Sequence, residues 1–304
     1  MPLPGDLAAL AGKVSNWGRW GDDDERGAVN LIDGAAVARG TAAVRRNVAF
    51  SLALPLTEDG LQHRSSPTRQ NPKLETYAVN EPFGSVAFSD DKVTTALQAA
   101  THWDALAHVS YDGFLYNGFR ADAVTASGTT RCGIEQVGTL VTRGVLLDVA
   151  RVHGVDRLDP GHGVSGEDLA AAADLAGISV EAGDVVLVRT GHMQLWLAGD
   201  RRSYWSPSPG PAPACVQWLR DHDVAGVATD NGTFELMPDA NGEFDMPVHG
   251  LLLRDMGVIQ GQNWNLEELA ADCADDGAYA FLLSASPEPF VGACGAPVTP
   301  VAIK

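Results

Sequence analysis

Basic residues are scarce in this chain of 304 residues, with 21 Lys and Arg against 39 Asp and Glu and a formal net charge of −18. That balance argues against a nucleic-acid partner, whose phosphates are met by clustered cations. It argues equally against an anionic membrane surface. Cysteine is scarce too. Cys132, Cys215, Cys273 and Cys294 lie far apart and make no C-x-x-C. A zinc ribbon or thioredoxin-type pair is thereby excluded, and four reduced, mostly buried thiols are expected. No apolar run approaches the roughly 20 residues of a membrane span. The opening Met1-Pro-Leu-Pro-Gly-Asp lacks the basic and apolar regions of a signal peptide. These absences predict a soluble, cytoplasmic protein.

Familiar catalytic signatures are also missing. There is no G-x-S-x-G elbow, no Walker A and no H-E-x-x-H, so a serine hydrolase of the elbow type is disfavoured. Gly161-His-Gly-Val-Ser-Gly166 fits G-x-G-x-x-G. A dinucleotide site needs a strand running straight into that loop, and here about ten polar residues intervene.

What is present is a globular composition, 45% apolar and 20% charged, able to bury a sizeable core. No repeat or linker divides it, so residues 1–304 read as one domain. Residues 1–45 are expected to be an N-terminal extension packing on that domain or on a partner subunit. Strands are expected at 46–56, 143–150, 185–189 and 224–229, with closing strands at 278–284 and 298–303. Helices are expected at 168–176 behind the N-cap Ser165, at 211–221 with proline near its start, and at 266–273. The polar, Gly/Pro-spotted stretch 57–91 suggests a long loop or flap. Alternating strands and helices make the class α/β with a mixed sheet. Asp148 falls inside an apolar run and needs a partner if buried.

Chemistry concentrates between Gln98 and Gly118, which contain Thr101-His102-Trp103-Asp104-Ala-Leu-Ala-His108 and end in Tyr116-Asn117-Gly118. If 102–104 is extended, His102 and Asp104 point to the same side. A helical turn from Asp104 would bring His108 onto that face. Two imidazoles and a carboxylate suit zinc, manganese or iron. A plain hydrogen-bonded His-x-Asp pair is the alternative reading.

The segment resembles the signature of the metal-dependent cyclase-like hydrolases, roughly H-x-G-T-H-x-D-x-P-x-H. That family includes bacterial kynurenine formamidase, isatin hydrolase and trans-dienelactone hydrolase. The resemblance extends to Trp17-Gly18 with Asp22-Asp-Asp-Glu-Arg-Gly27, as in longer family members. It includes Gly144-Val-Leu-Leu-Asp148, Gly183-Asp-Val-Val-Leu-Val-Arg-Thr-Gly-His192 and Pro247-Val-His249-Gly-Leu-Leu. It implies a swivelling β/β/α fold and hydrolysis of a cyclic or aryl amide or ester. It implies His102 and Asp104 as metal ligands, and His108 and His249 as catalytic residues. Two positions depart from the pattern. Gln98 stands where the first ligand histidine is expected. Gln262, preferred over Gln260, stands where a second-site glutamate is expected. Both remain weak oxygen ligands, and their neutrality favours one divalent ion, zinc or manganese with iron as an alternative, over two.

Thr101 is a candidate to orient the ligands. Trp17, Trp103, Tyr116, Asn117 and Asp230 are candidate substrate contacts, although alternation also lets Trp103 pack in the core. His192 is expected to be structural. His63, His153, His162 and His222 sit in polar contexts and receive no role. The expected partner is a small molecule, and a homodimer is the default assembly. The alternatives to hydrolysis are a metal-dependent cyclase or dehydratase of a polyketide-like intermediate, and a metal-free binding protein on the same fold.

Overall fold

The computed structural model describes residues 3–62, 69–205, 207–237 and 245–304; His63 lies outside them. Its central sheet has nine strands among the described residues. In chain order these are β1 (Ala49–Ser51), β2 (His102–Asp104), β3 (Val141–Asp148), β4 (Val185–Arg189) and β5 (Gly226–Thr229). β6 (Ile259–Gln262), β7 (Ala280–Ser284), β8 (Gly295–Pro297) and β9 (Val301–Ile303) complete it. Across the sheet they run β1-β9-β7-β3-β4-β5-β6-β2-β8. β3 to β6 are mutually parallel, and the flanking pairs are antiparallel. This is the α/β domain with a mixed sheet that the sequence predicts.

The period of two along each strand builds a core on each face. Val185 and Leu187 of β4 enter one core with Leu146 and Ala228. Val186 and Val188 enter the other with Val145, Leu147 and Val227. A sheet covered on both faces reads as continuous apolar runs, which is why these strands are visible in the sequence. Each such side chain contributes about 1.5–3 kcal/mol on full burial. The buried Asp148 finds its partner in Arg189, whose Nη1 donates to Asp148 Oδ1 at 2.9 Å.

Helix boundaries follow local chemistry. Gly166–Ala176 begins in a capping box between Ser165 and Asp168, two residues earlier than expected. Pro213–Asp221 carries proline in its first turn. It starts later than expected because Gly210–Pro211 pairs as a short parallel strand with Gly163–Val164. The stretch expected as a loop contains instead a hairpin, Lys73–Phe83 against Val86–Thr94. Its turn uses Gly84 at φ +61°. Both faces of this hairpin are largely exposed, so the one-sided alternation that reveals a half-buried strand is absent.

The N-terminal extension packs on its own domain. Asn16 donates its side-chain amide to Met256 O at 2.8 Å. Gly27 (φ +59°) lies so close to Gly257 that a Cβ there would stand 2.1 Å from the carbonyl oxygen. Among the described residues, no helix is long and apolar enough to cross a membrane.

Candidate active site

Strand β2 is three residues long and lies between β6 and β8. Register sets Gln262 and Pro297 opposite His102, and Gln260 and Gly295 opposite Asp104. Opposed residues share a face, so His102, Asp104, Gln260 and Gln262 gather on one side. Trp103 points to the other side. It is fully buried, meets Trp264 edge-on at 4.8 Å between ring centroids, and donates its indole N–H to Ala285 O at 2.8 Å. The expectation of a substrate contact at Trp103 is therefore corrected: strand alternation places it in the core.

His102 and Asp104 are both fully buried. His102 Nδ1 donates to Ala100 O at 2.7 Å, which leaves the Nε2 lone pair directed inward. Nε2 lies 3.5 Å from Asp104 Oδ1. Neither of these two atoms has a hydrogen-bond partner. Ala100 O thus does the orienting expected of Thr101. The Thr101 hydroxyl instead donates to Asn263 O at 2.6 Å and accepts from Leu54 N at 2.9 Å, fixing the backbone at the strand's start.

After β2 the chain turns, with His108 N donating to Ala105 O at 2.9 Å. His108 Nε2 arrives 3.7 Å from Asp104 Oδ1. Both imidazoles thus lie near the same carboxylate oxygen. Burial works to raise the Asp104 carboxyl. The imidazoles of His108, His102 and His249 outweigh it and hold the group well below the usual carboxylate range. Burial, reinforced by His249, Arg69 and His102 against the pull of Asp104, keeps the His108 imidazole below its ordinary value.

Gln262 reaches the same carboxylate from β6. Its Nε2 donates to Asp104 Oδ2 at 2.6 Å and lies 3.3 Å from His249 Nε2. The expected weak ligand is here a hydrogen-bond donor, because Asp104 offers it an acceptor. Gln260 keeps a buried Oε1 without a partner. Gln98 also reaches the site. A Cβ on Gly295 would stand 2.7 Å from Gln98 Nε2 and 3.3 Å from Asp104 Oδ1, so a glycine at that position leaves room for both.

His249 ends the short helix Pro247–His249. Its Nδ1 contacts Glu235 Oε1, and its ring lies 6.4 Å from that of His108. Glu235 also accepts the backbone N–H groups of Val248 and His249 at 3.0 and 2.9 Å. The tautomer that donates Nδ1–H to Glu235 leaves Nε2 to accept from Gln262. Glu235 belongs to no motif that the sequence shows. Its one signal was a carboxylate in the apolar company of Phe234, Leu236 and Met237.

The remaining candidates give their polar atoms to other partners. Asp230 is buried and accepts from Thr190 N (3.0 Å), Thr190 Oγ1 (2.7 Å) and Gly191 N (2.7 Å). This ties two strand ends together instead of presenting a carboxylate to substrate. Asn117 donates to the carbonyls of Gly21, Asp22 and Asp24, and Tyr116 donates its hydroxyl to Asp24 Oδ2 at 3.0 Å. Trp17 donates to Arg254 O at 2.7 Å and packs against Phe114. These three fasten the acidic N-terminal turn to the domain, where the sequence reading expected them to line a pocket. His192 is buried, with Nε2 against Tyr204 O at 2.8 Å and Nδ1 without a hydrogen-bond partner.

The donor set fits a single divalent ion. Two ligands about 2.1 Å from a shared ion at tetrahedral angles stand roughly 3.4 Å apart, close to the spacing of His102 Nε2 and Asp104 Oδ1. Unpartnered buried polar atoms carry a free-energy cost that a ligand removes. Gln98 and Gln260 add neutral amides nearby.

The family model described as "Putative cyclase" matches residues 48–236. The chain belongs to this cyclase family. A solved structure described as a novel cyclase is similar at 37% identity and TM-score 0.88, over 95% of this chain and 99% of the other. Isatin hydrolase A from Labrenzia aggregata shares the fold at 18% identity and TM-score 0.63, over 86% and 94%. A structure from Bacillus stearothermophilus, described as a predicted metal-dependent hydrolase, does so at 19% and 0.54, over 85% and 98%. No curated protein matches the chain.

Proposed function

We propose that this cyclase-family chain is a metal-dependent hydrolase. Its substrate would be a small cyclic or aromatic amide, cyclic amide or lactone. His102 and Asp104 would hold one divalent ion, zinc or manganese. The observation that carries the reading is the buried pair His102 Nε2 and Asp104 Oδ1, 3.5 Å apart and both without a hydrogen-bond partner. When bound, the ion supplies Lewis acidity, which polarises a carbonyl and brings the pKa of water towards neutrality. His108, kept neutral near pH 7 by its burial, takes a proton from the attacking water. As the carbon–oxygen bond forms, the C–N or C–O bond breaks, and the His108 proton passes to the leaving nitrogen or oxygen. Glu235 fixes the ring of His249, whose Nε2 is a second proton-accepting position. The Gln262 amide holds the second oxygen of Asp104.

The test compares metal content and turnover in wild type and His102→Ala. Wild type should exceed the variant by about one equivalent of transition metal. It should hydrolyse a member of a panel of aryl amides, lactones and cyclic imides, with label from heavy-oxygen water entering a new carboxylate. No metal difference after incubation with zinc or manganese overturns the reading in favour of a metal-free binding protein. Turnover without label overturns it in favour of a cyclase or dehydratase.

A further inference from the structure

A second group of ligand-type side chains lies on the opposite flank of β4, away from β2. His153 follows the short helix Val149–Val152, His162 sits in the Gly-rich loop after it, and Asp168 occupies the first turn of Gly166–Ala176. Among the described residues, these form the one group of three or more His, Cys, Asp or Glu side chains whose ligand atoms all lie within 4.8 Å of one another. His153 Nε2 is 2.7 Å from Asp168 Oδ1, and His162 Nε2 is 3.3 Å from Asp168 Oδ2. The two rings meet edge-to-face at 4.6 Å between centroids.

Several features of this group exceed what a hydrogen-bonded histidine requires. Both imidazoles turn the same nitrogen to the two oxygens of one carboxylate. That carboxylate is held from behind, since Ser165 N and Oγ reach Asp168 Oδ2 at 2.9 and 3.0 Å. A ligand fixed by a neighbour of this kind is oriented before the ion arrives. Although burial opposes it, the contacts from Ser165, His153 and His162 hold the Asp168 carboxyl below its ordinary value. The histidine side chains are 39% and 26% exposed, open enough to exchange a proton for an ion and to leave positions for water. Two imidazoles and a carboxylate suit first-row divalent metals.

We propose that His153, His162 and Asp168 form a second, non-catalytic binding site for a divalent transition metal such as zinc. An ion there clamps the loop after β3 to the start of helix Gly166–Ala176. This site stands apart from the reading of the active site and does not depend on it.

The experiment uses the full chain carrying His102→Ala and Asp104→Asn, stripped with chelator and titrated with zinc in a calorimeter. The same background with His153→Ala, and separately His162→Ala, is titrated alongside. Neither histidine supports the capping box, so both variants retain the fold, which circular dichroism checks. The expected result is one zinc with micromolar or tighter Kd in the parent, weakened at least tenfold in each histidine variant. Thermal unfolding should shift upward with zinc in the parent and not in the variants. No zinc binding in the parent, or binding unchanged by both substitutions, overturns the proposal. Because the active-site ligands are already removed, neither outcome bears on the hydrolase reading.

Discussion

Gln262 donates its side-chain amide to Asp104 Oδ2 at 2.6 Å, across the register that sets residue 262 opposite His102. The contact consumes one oxygen of the carboxylate and leaves the other free. A carboxylate in place of the amide would face Asp104 without a shared proton. Gln262→Glu should therefore destabilise the chelator-treated protein by on the order of 2–4 kcal/mol near neutral pH, as like charges do in a partly buried site. It should also increase the stabilisation gained from zinc. Calorimetric melting with and without metal checks both; an apo variant as stable as wild type would sink the idea.

His108 and His102 should separate in their effects. His108→Gln is expected to lower kcat by about 10²–10⁴-fold while keeping the metal, the usual span for loss of a general acid–base group. His102→Ala should lose metal and activity together. Elemental analysis beside steady-state kinetics distinguishes them, and loss of metal from His108→Gln would reassign it as a ligand.

Glu235 acts through His249, so it is a positioning residue. Glu235→Gln should reduce kcat by about 10–100-fold, the scale seen when a group orienting a site residue is removed. Combined with His249→Ala it should add little, because both changes remove one unit. Fully additive losses, or an unchanged pH profile in Glu235→Gln, would mean that its role is confined to the backbone N–H groups.

Asp230 supplies a pH signature of stability. Burial outweighs its hydrogen bonds from Thr190 and pushes the carboxyl up from 3.8 to about 6. Between those values the folded protein holds a proton that the unfolded chain has released. The contribution is complete below about pH 4 and is lost as pH rises through 6, by at most about 3 kcal/mol. Urea unfolding at several pH values should show the stability gap between wild type and Asp230→Asn narrowing across that window. A constant gap would exclude the effect.

Much of this site is legible in the sequence because it is local. His102, Asp104 and His108 lie within one strand and one turn, where alternation and a four-residue step fix relative direction. The same alternation gives Trp103 to the core. What is illegible depends on pairing between distant segments. Glu235 and His249 lie fourteen residues apart and meet side chain to side chain, and no periodicity marks that contact. The donor role of Gln262 follows from its register with β2, which composition does not encode. Tyr116 and Asn117 look like pocket residues beside a catalytic segment, yet their partners are carbonyls and a carboxylate at residues 21–24. The exposed hairpin was missed for the opposite reason, since it has no buried face to leave a pattern.

Strand β2 spends all three of its residues, two on the candidate site and the middle one on the core. Heritable variation there meets two filters at once, since a change at 103 threatens folding and a change at 102 or 104 threatens the reaction. Substitution at 98, 260 or 262, whose side chains lie beside the same space, would change the groups around Asp104 without touching the packing of Trp103.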